Sequence, residues 1–264
     1  MPDAVVLAGG GPEPGLAPGL PNKAFLEIAG RPLVLRVVEA LRACPAVGRV
    51  VVAGPPASLR PLFDASVQIV PERDAMMDNL MAAVASLPGA VQVLVVASDL
   101  PLLSAEAIGS FLDRCEGGAD VYYPIVPQSS IESRYPGARK TYVRVADGTF
   151  AGGSVLLLSA SVLDRVRPLV EQIVAARKRP WVLAHLFGWS VVMKFASGRL
   201  SIAEMEARAL QVAGIRGRAV IVEDPALALD VDAERPENLR AIRRALGADP
   251  AGDSLGVGTE GDAG

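Results

Sequence analysis

The 264-residue chain is poor in the residues that carry most protein chemistry, with two cysteines, one histidine and 5% aromatic residues. Cys44 and Cys115 are far apart and stand in no metal-binding spacing. Neither a disulfide scaffold nor a zinc site is therefore supported, and a reducing, cytoplasmic compartment is expected. His185 is the lone histidine and lies in an apolar stretch between Ala184 and Leu186, so no Ser-His-Asp arrangement can be assembled around it. No apolar run is long enough to cross a bilayer and no charged leader precedes the first hydrophobic stretch, so neither a membrane partner nor an export signal is expected. Charge of neither sign dominates: 26 basic side chains face 29 acidic ones, for a formal net charge of -3. That balance lacks the basic field that draws proteins onto nucleic acid, and a small-molecule partner fits better.

What the chain does have is apolar material, 51% of its residues, enough for one large core. Ala4 to Leu7, Val50 to Ala53 and Val91 to Ala97 are nearly continuous apolar runs rich in valine, as expected of strands buried on both faces of a parallel sheet. Pro32 to Ala43 between the first two places Arg36, Glu39 and Arg42 at helical spacing. The alternation continues with a helix at Pro56 to Phe63, a strand at Val67 to Val70, and a helix N-capped by Asp78 or Asn79 and running to Ser86. Ser104 then caps a helix through Cys115. Such a rhythm predicts an α/β fold with a doubly wound, mixed but mainly parallel sheet, whose ligands bind beyond the C-terminal ends of the strands.

From 122 to 217 the rhythm loosens, through the polar segment Gln128 to Lys140, a hairpin, Val155 to Leu158, and helices around Ala160 to Ala176 and Ile202 to Ala213. This stretch reads as an acceptor-side insertion or lid within a single domain of residues 1–247. Ala219 to Val222, Leu229 to Val231 and a helix entered at Pro236 restore the pattern, and 248–264 reads as a disordered tail.

Three places at strand ends could carry chemistry. The loop from Ala8 to Asn22 leaves the first strand through Gly9, Gly10 and Gly11 and ends at Lys23. Successive glycines can turn backbone N–H groups onto an anion, and a lysine at the far end can neutralise it, although the same composition also suits a plain surface turn. No Gly-Lys-Ser/Thr closes the loop and the dinucleotide spacing is missing, which weakens kinase-type and dehydrogenase readings. Asp99 ends the most hydrophobic strand, and could hold Mg²⁺ through oxygen ligands or simply cap a turn. Asp230 and Asp232 flank Val231 at the end of another apolar stretch, as a second metal ligand or as solvated loop acids. Arg134, Arg139, Lys140 and Arg144, in or beside the polar segment, could grip an acceptor's phosphate.

In chain order these become Leu7-Ala8-Gly9-Gly10, Asn22-Lys23-Ala24-Phe25-Leu26, Gly30-Arg31-Pro32-Leu33, Ser98-Asp99-Leu100-Pro101, Asp230-Val231-Asp232 and Pro236-Glu237-Asn238-Leu239. The pattern resembles the NTP-transferase superfamily, which includes molybdopterin guanylyltransferase, sugar-phosphate nucleotidyltransferases and phospholactate guanylyltransferase on a glycosyltransferase-A-like fold. The resemblance implies backbone contacts to nucleotide from Leu7, Ala8, Gly9, Gly10 and Gly11, and a phosphate-neutralising role for Lys23. It also implies metal ligation by Asp99 with Asp232, and contacts to the base from 71–79, Pro71, Asp78 and Asn79 among them. Gly152, Gly153 and Ser154 would line the acceptor side.

Two departures stand out. The family's arginine after the glycines is missing from Glu13-Pro14-Gly15-Leu16, and Pro236 lies four residues after Asp232 where the family usually has two, which leaves the choice between Asp230 and Asp232 open. The expected function is Mg²⁺-dependent transfer of a nucleoside monophosphate from an NTP to a small phosphorylated acceptor. An NDP-sugar-dependent glycosyltransferase and a non-catalytic nucleotide-binding regulator are the alternatives, and a homodimer is left open.

Overall fold

The computed structural model describes residues 1–11, 19–165, 167–168, 188–232 and 235–248. Its main sheet has nine strands in the order β5-β4-β1-β6-β10-β7-β9-β8, with β11 on the free side of β7. Strand β1 (Asp3–Leu7) lies between β4 (Val50–Gly54) and β6 (Gln92–Ala97), and β5 (Gln68–Pro71) is the edge beyond β4. These four strands are parallel, as their valine-rich, doubly buried sequences require.

The two faces of β1 bury different neighbours. Ala4 and Val6 join a core with helix α1 (Leu33–Ala43), helix α4 (Ala105–Asp113) and the closing helix α8 (Pro236–Ala245), whereas Val5 packs with Met77, Leu80 and Ala83 of helix α3 (Met76–Ala85). Period-two alternation along each strand thus serves two cores at once. Between β1 and α1 the described residues hold a 3-10 turn, Lys23–Phe25, and a small hairpin of β2 (Glu27–Ile28) and β3 (Arg31–Pro32). The hairpin's turn residues Ala29 and Gly30 both have positive φ, as a tight two-residue connection demands.

Residues 122–217, read above as an insertion, build the second half of the main sheet. Strand β7 (Val121–Pro127) is followed by the short helix α5 (Gln128–Arg134), by the hairpin β8 (Tyr142–Val145) and β9 (Gly148–Gly152), and by β10 (Val155–Ser159). β10 runs antiparallel to both β6 and β7 and joins the two halves of the sheet. Helix α6 (Trp189–Ala196) and helix α7 (Ile202–Ala213), which has a full capping box of Ser201 and Glu204, lead into β11 (Gly217–Ile221).

Several sequence expectations are corrected. Helix α3 starts at Met76 behind an N-cap at Ala75, so Asp78 is a first-turn acid and Asn79 an interior, buried residue. The helix expected at Pro56 to Phe63 is an α-helical turn, α2 (Pro56–Leu59), continued as 3-10 through Leu62. Leu229 to Val231 forms no strand; a 3-10 turn at Pro225–Leu227 precedes it, and Val231 is tied to the sheet's end by its N–H donating to the Asp99 carbonyl at 3.0 Å. Residues 169–187, which hold His185 and the end of the expected Ala160 to Ala176 helix, lie outside the described residues, as do 12–18 and the tail after Ala248. Among the described residues no helix is long and apolar enough to cross a membrane.

Candidate active site

Topology places the site before any side chain is considered. From β1 the chain moves to β4 and β5 on one side, then returns to β6 on the other, so the connections leaving β1 and β6 diverge and open a crevice at their C-terminal ends. The register sets Leu7 beside Ala97, hence the glycine loop and Ser98-Asp99 leave the sheet side by side. The Ala97 N–H donates to the carbonyl of Ser154 at 3.0 Å, which brings Gly153 and Ser154 to the same spot from the antiparallel β10.

A cavity of 620 Å³ occupies the crevice, and it is lined by Leu7, Gly9, Gly10, Gly11, Lys23, Asp99 and Gly153 of the expected residues. Lys23 and Asp99 meet there: Nζ lies 2.7 Å from Oδ2. Their placement follows from Asn22, which is buried and was quoted in the sequence only as Lys23's neighbour. Its Oδ1 accepts from Ala24 N–H to cap the 3-10 turn, while its Nδ2 donates to the carbonyls of Ala8 at 3.0 Å and Gly10 at 3.1 Å. One amide thereby fixes both the start of the glycine loop and the base of the lysine.

Asp99 is 4% exposed, and its second oxygen, Oδ1, is buried without a hydrogen-bond partner. A desolvated carboxylate oxygen left bare is costly. Burial pushes the Asp99 carboxyl above its usual range, Lys23 offsets part of that push, and the charge of Asp230 adds to it. Asp230 therefore sits near enough to be felt at Asp99, and at the phenol of Tyr123 as well. Asp232 instead pairs with Arg235 at 3.5 Å. The bare buried oxygen on Asp99 is a donor that a hard divalent cation fits, with phosphates and water completing the shell, whereas Asp230 does not line the cavity and is paired with Lys140 at 2.7 Å. Among the described residues there is no cluster of three or more ligating side chains, so such an ion would depend on its substrate for the rest.

The remaining expected residues divide. Ala8 is fully buried beneath the loop. Pro71, Asp78 and Asn79 do not line the cavity: Asp78 pairs with Arg167 at 2.8 Å, and the Asn79 amide clamps both backbone groups of Arg73. α3 reaches the cavity through Met76 and Met77 instead. Lys140, its side chain only 10% exposed, is held by Asp230 at 2.7 Å, whereas Arg139 is exposed and engaged through its backbone, its N–H donating to Asn238 at 2.7 Å and its carbonyl accepting from Arg235 at 3.4 Å. Arg134 lines a different cavity and Arg144 lies along Gly198. Gly152 stands behind the site, where a Cβ would come within 2.1 Å of the Tyr123 hydroxyl.

One participant had no signal in sequence, and another lay within the expected segment 71–79 without being singled out. Tyr123, on β7, turns its ring into the cavity while Tyr122 beside it is buried on the opposite face. Glu72, just after β5, accepts the Gly10 N–H at 3.1 Å. The glycine loop thus already carries a carboxylate on one of its N–H groups, the kind of bond it would offer a phosphate.

Comparison with known proteins agrees with this fold. The model of the MobA-like NTP transferase domain matches residues 4–179. A hypothetical transferase from Thermus thermophilus is 40% identical, with a TM-score of 0.78 over 88% of this chain and 97% of that one. A CMP:2-keto-3-deoxy-manno-octonic acid synthetase complexed with CTP shares the fold, at a TM-score of 0.57 and 16% identity over 94% of this chain and 99% of that one. The 2-C-methyl-D-erythritol 4-phosphate cytidylyltransferase of Streptomyces avermitilis is 27% identical over 135 residues, 47% of this chain and 54% of its own length. The chain thus spans about half the length of that curated relative. With more than half of its residues matched, and with the glycine loop, Lys23 and Asp99 inside the match, the chain belongs to the family of MobA-like NTP transferase domains.

Proposed function

We propose that this chain transfers a nucleoside monophosphate from an NTP to a small phosphorylated acceptor and releases pyrophosphate. The observation that carries the reading is the Lys23–Asp99 pair at the floor of the switch-point cavity, with one Asp99 oxygen bare. The name of the curated relative, a cytidylyltransferase for a sugar-alcohol phosphate, supports the same class of donor and acceptor.

In this reaction an acceptor phosphate oxygen attacks the α-phosphorus, the bond from that phosphorus to the bridging oxygen breaks, and pyrophosphate departs. Little proton transfer is needed, so positioning and neutralisation of charge dominate. Lys23 supplies a cation at the phosphates. Asp99 holds that lysine in place and, through its bare oxygen, would hold Mg²⁺, which supplies further neutralisation of the triphosphate when bound. Gly153 and Ser154 line the cavity from the β10 side, where the acceptor would lie, and Gly153 is packed tightly into that wall, since a Cβ there would meet Pro124 at 2.8 Å.

The test is pyrophosphate release from each of the four NTPs with Mg²⁺ across a panel of phosphorylated acceptors. Lys23→Ala and Asp99→Ala should each lower kcat by about 100-fold or more while the fold is kept, the scale of losing one preorganised electrostatic contact. Unchanged release in both variants would overturn the assignment. Tight NTP binding with no release from any pair would favour the regulator.

A further inference from the structure

A second and larger cavity, of 810 Å³, opens where α1, the Pro101–Ser104 segment, the last turn of α5 and the end of α8 meet. It shares no lining residue with the Lys23–Asp99 cavity, although Asp99 and Pro101 stand two residues apart on the connection between them. Four guanidinium groups, Arg31, Arg36, Arg134 and Arg244, face it against a single carboxylate, Glu39, on a chain that is acidic overall.

That carboxylate is already committed, because both its oxygens accept from Arg31. Arg36 donates to the Ile28 carbonyl, but its Nε is buried with no hydrogen-bond partner, and burial together with the charge of Arg31 pulls its pKa down. Arg134 and Arg244 are exposed and no ion pair joins either to an acid among the described residues, though Arg134 also borders a neighbouring groove with Glu223 and Asp224. Cations from four separate elements therefore converge on one concavity with too little negative charge to balance them, a repulsion that a bound anion would relieve. The walls between the arginines are apolar, with Leu102, Leu103 and Leu246, which suits a compact ligand body. A nucleic acid would instead call for a stripe of basic residues along the surface.

We propose that this cavity is a second binding site, taking the phosphoryl group of a small phosphorylated molecule on Arg36, Arg134 and Arg244, separate from the nucleotide site. Being separate, it stands whether or not the transfer reaction proposed above is right.

The probe is inorganic pyrophosphate, titrated calorimetrically at low salt into the full chain, into Lys23→Ala, and into Lys23→Ala combined with Arg134→Ala and Arg244→Ala. Both arginines are exposed, so melting temperature should be unchanged by their loss and serves as the folding control. Lys23→Ala should retain a pyrophosphate site, and the triple variant should bind it about 100-fold more weakly or not at all, at roughly tenfold per charged contact removed. Absence of binding to Lys23→Ala would overturn the proposal, as would binding of equal strength in the single and triple variants.

Discussion

At the level of single residues, the candidate site buries a charged group whose set of partners is incomplete. Asp99 is the clearest case, since its strand end is apolar enough to desolvate it while Lys23 satisfies only one oxygen. Glu72 is the opposite case, an exposed carboxylate resting on the Gly10 N–H that a phosphate would use. Its negative charge must be displaced or tolerated when a triphosphate arrives, so Glu72→Gln should tighten NTP binding, by about twofold to tenfold for one exposed charge. Equilibrium binding of a non-hydrolysable NTP reads this directly, and weaker binding in the variant would mean that Glu72 contacts the nucleotide itself. Lys23 and Asp99 were readable in advance because one closes the glycine loop that leaves the first strand and the other ends an apolar strand. Glu72 and Tyr123 were not, because nothing in a local pattern says which exposed side chain folds back over a loop.

At the level of elements, the decisive piece is β10. It lies between β6 and β7, runs against both, and carries Gly153 and Ser154 to Asp99. Its apolar run, Val155 to Leu158, announced a strand; its direction and place in the sheet were not legible, since pairing is set by long-range register and not by composition. Leu157 on this strand is 3% exposed in the larger core, so Leu157→Ala should cost about 2–5 kcal/mol of stability, measured by denaturant unfolding. A loss below that range would show that β10 is dispensable to the core. The same long-range pairing explains why 122–217 read as an insertion: its strands are separated by a hairpin and helices whose sequences blur the alternation seen in the first half.

For the whole molecule, the first strand must be held at both ends for the crevice to keep its shape. At its entry, Asp3 accepts from the Arg49 backbone N–H at 2.8 Å and from its guanidinium at 2.6 Å, and these contacts hold the Asp3 carboxyl below its ordinary range. A carboxyl whose folded-state pKa is depressed adds stability above its unfolded value, and that stability is lost as pH falls through the folded one. Asp3→Asn should therefore melt lower than the natural chain near neutral pH, with the gap closing in acid below the usual carboxylate range; a gap independent of pH would show that the contact is not ionic.

The sequence alone determined the α/β class, the buried parallel strands and which candidate residues stand at their ends, because apolar period, glycine runs and strand-terminal acids are local properties. Only the tertiary structure decided that Lys140 holds Asp230 while Asp232 pairs with Arg235, and that Lys23 closes onto Asp99. It alone gathered four arginines around a second cavity, since each of these outcomes depends on which distant segments the sheet brings together.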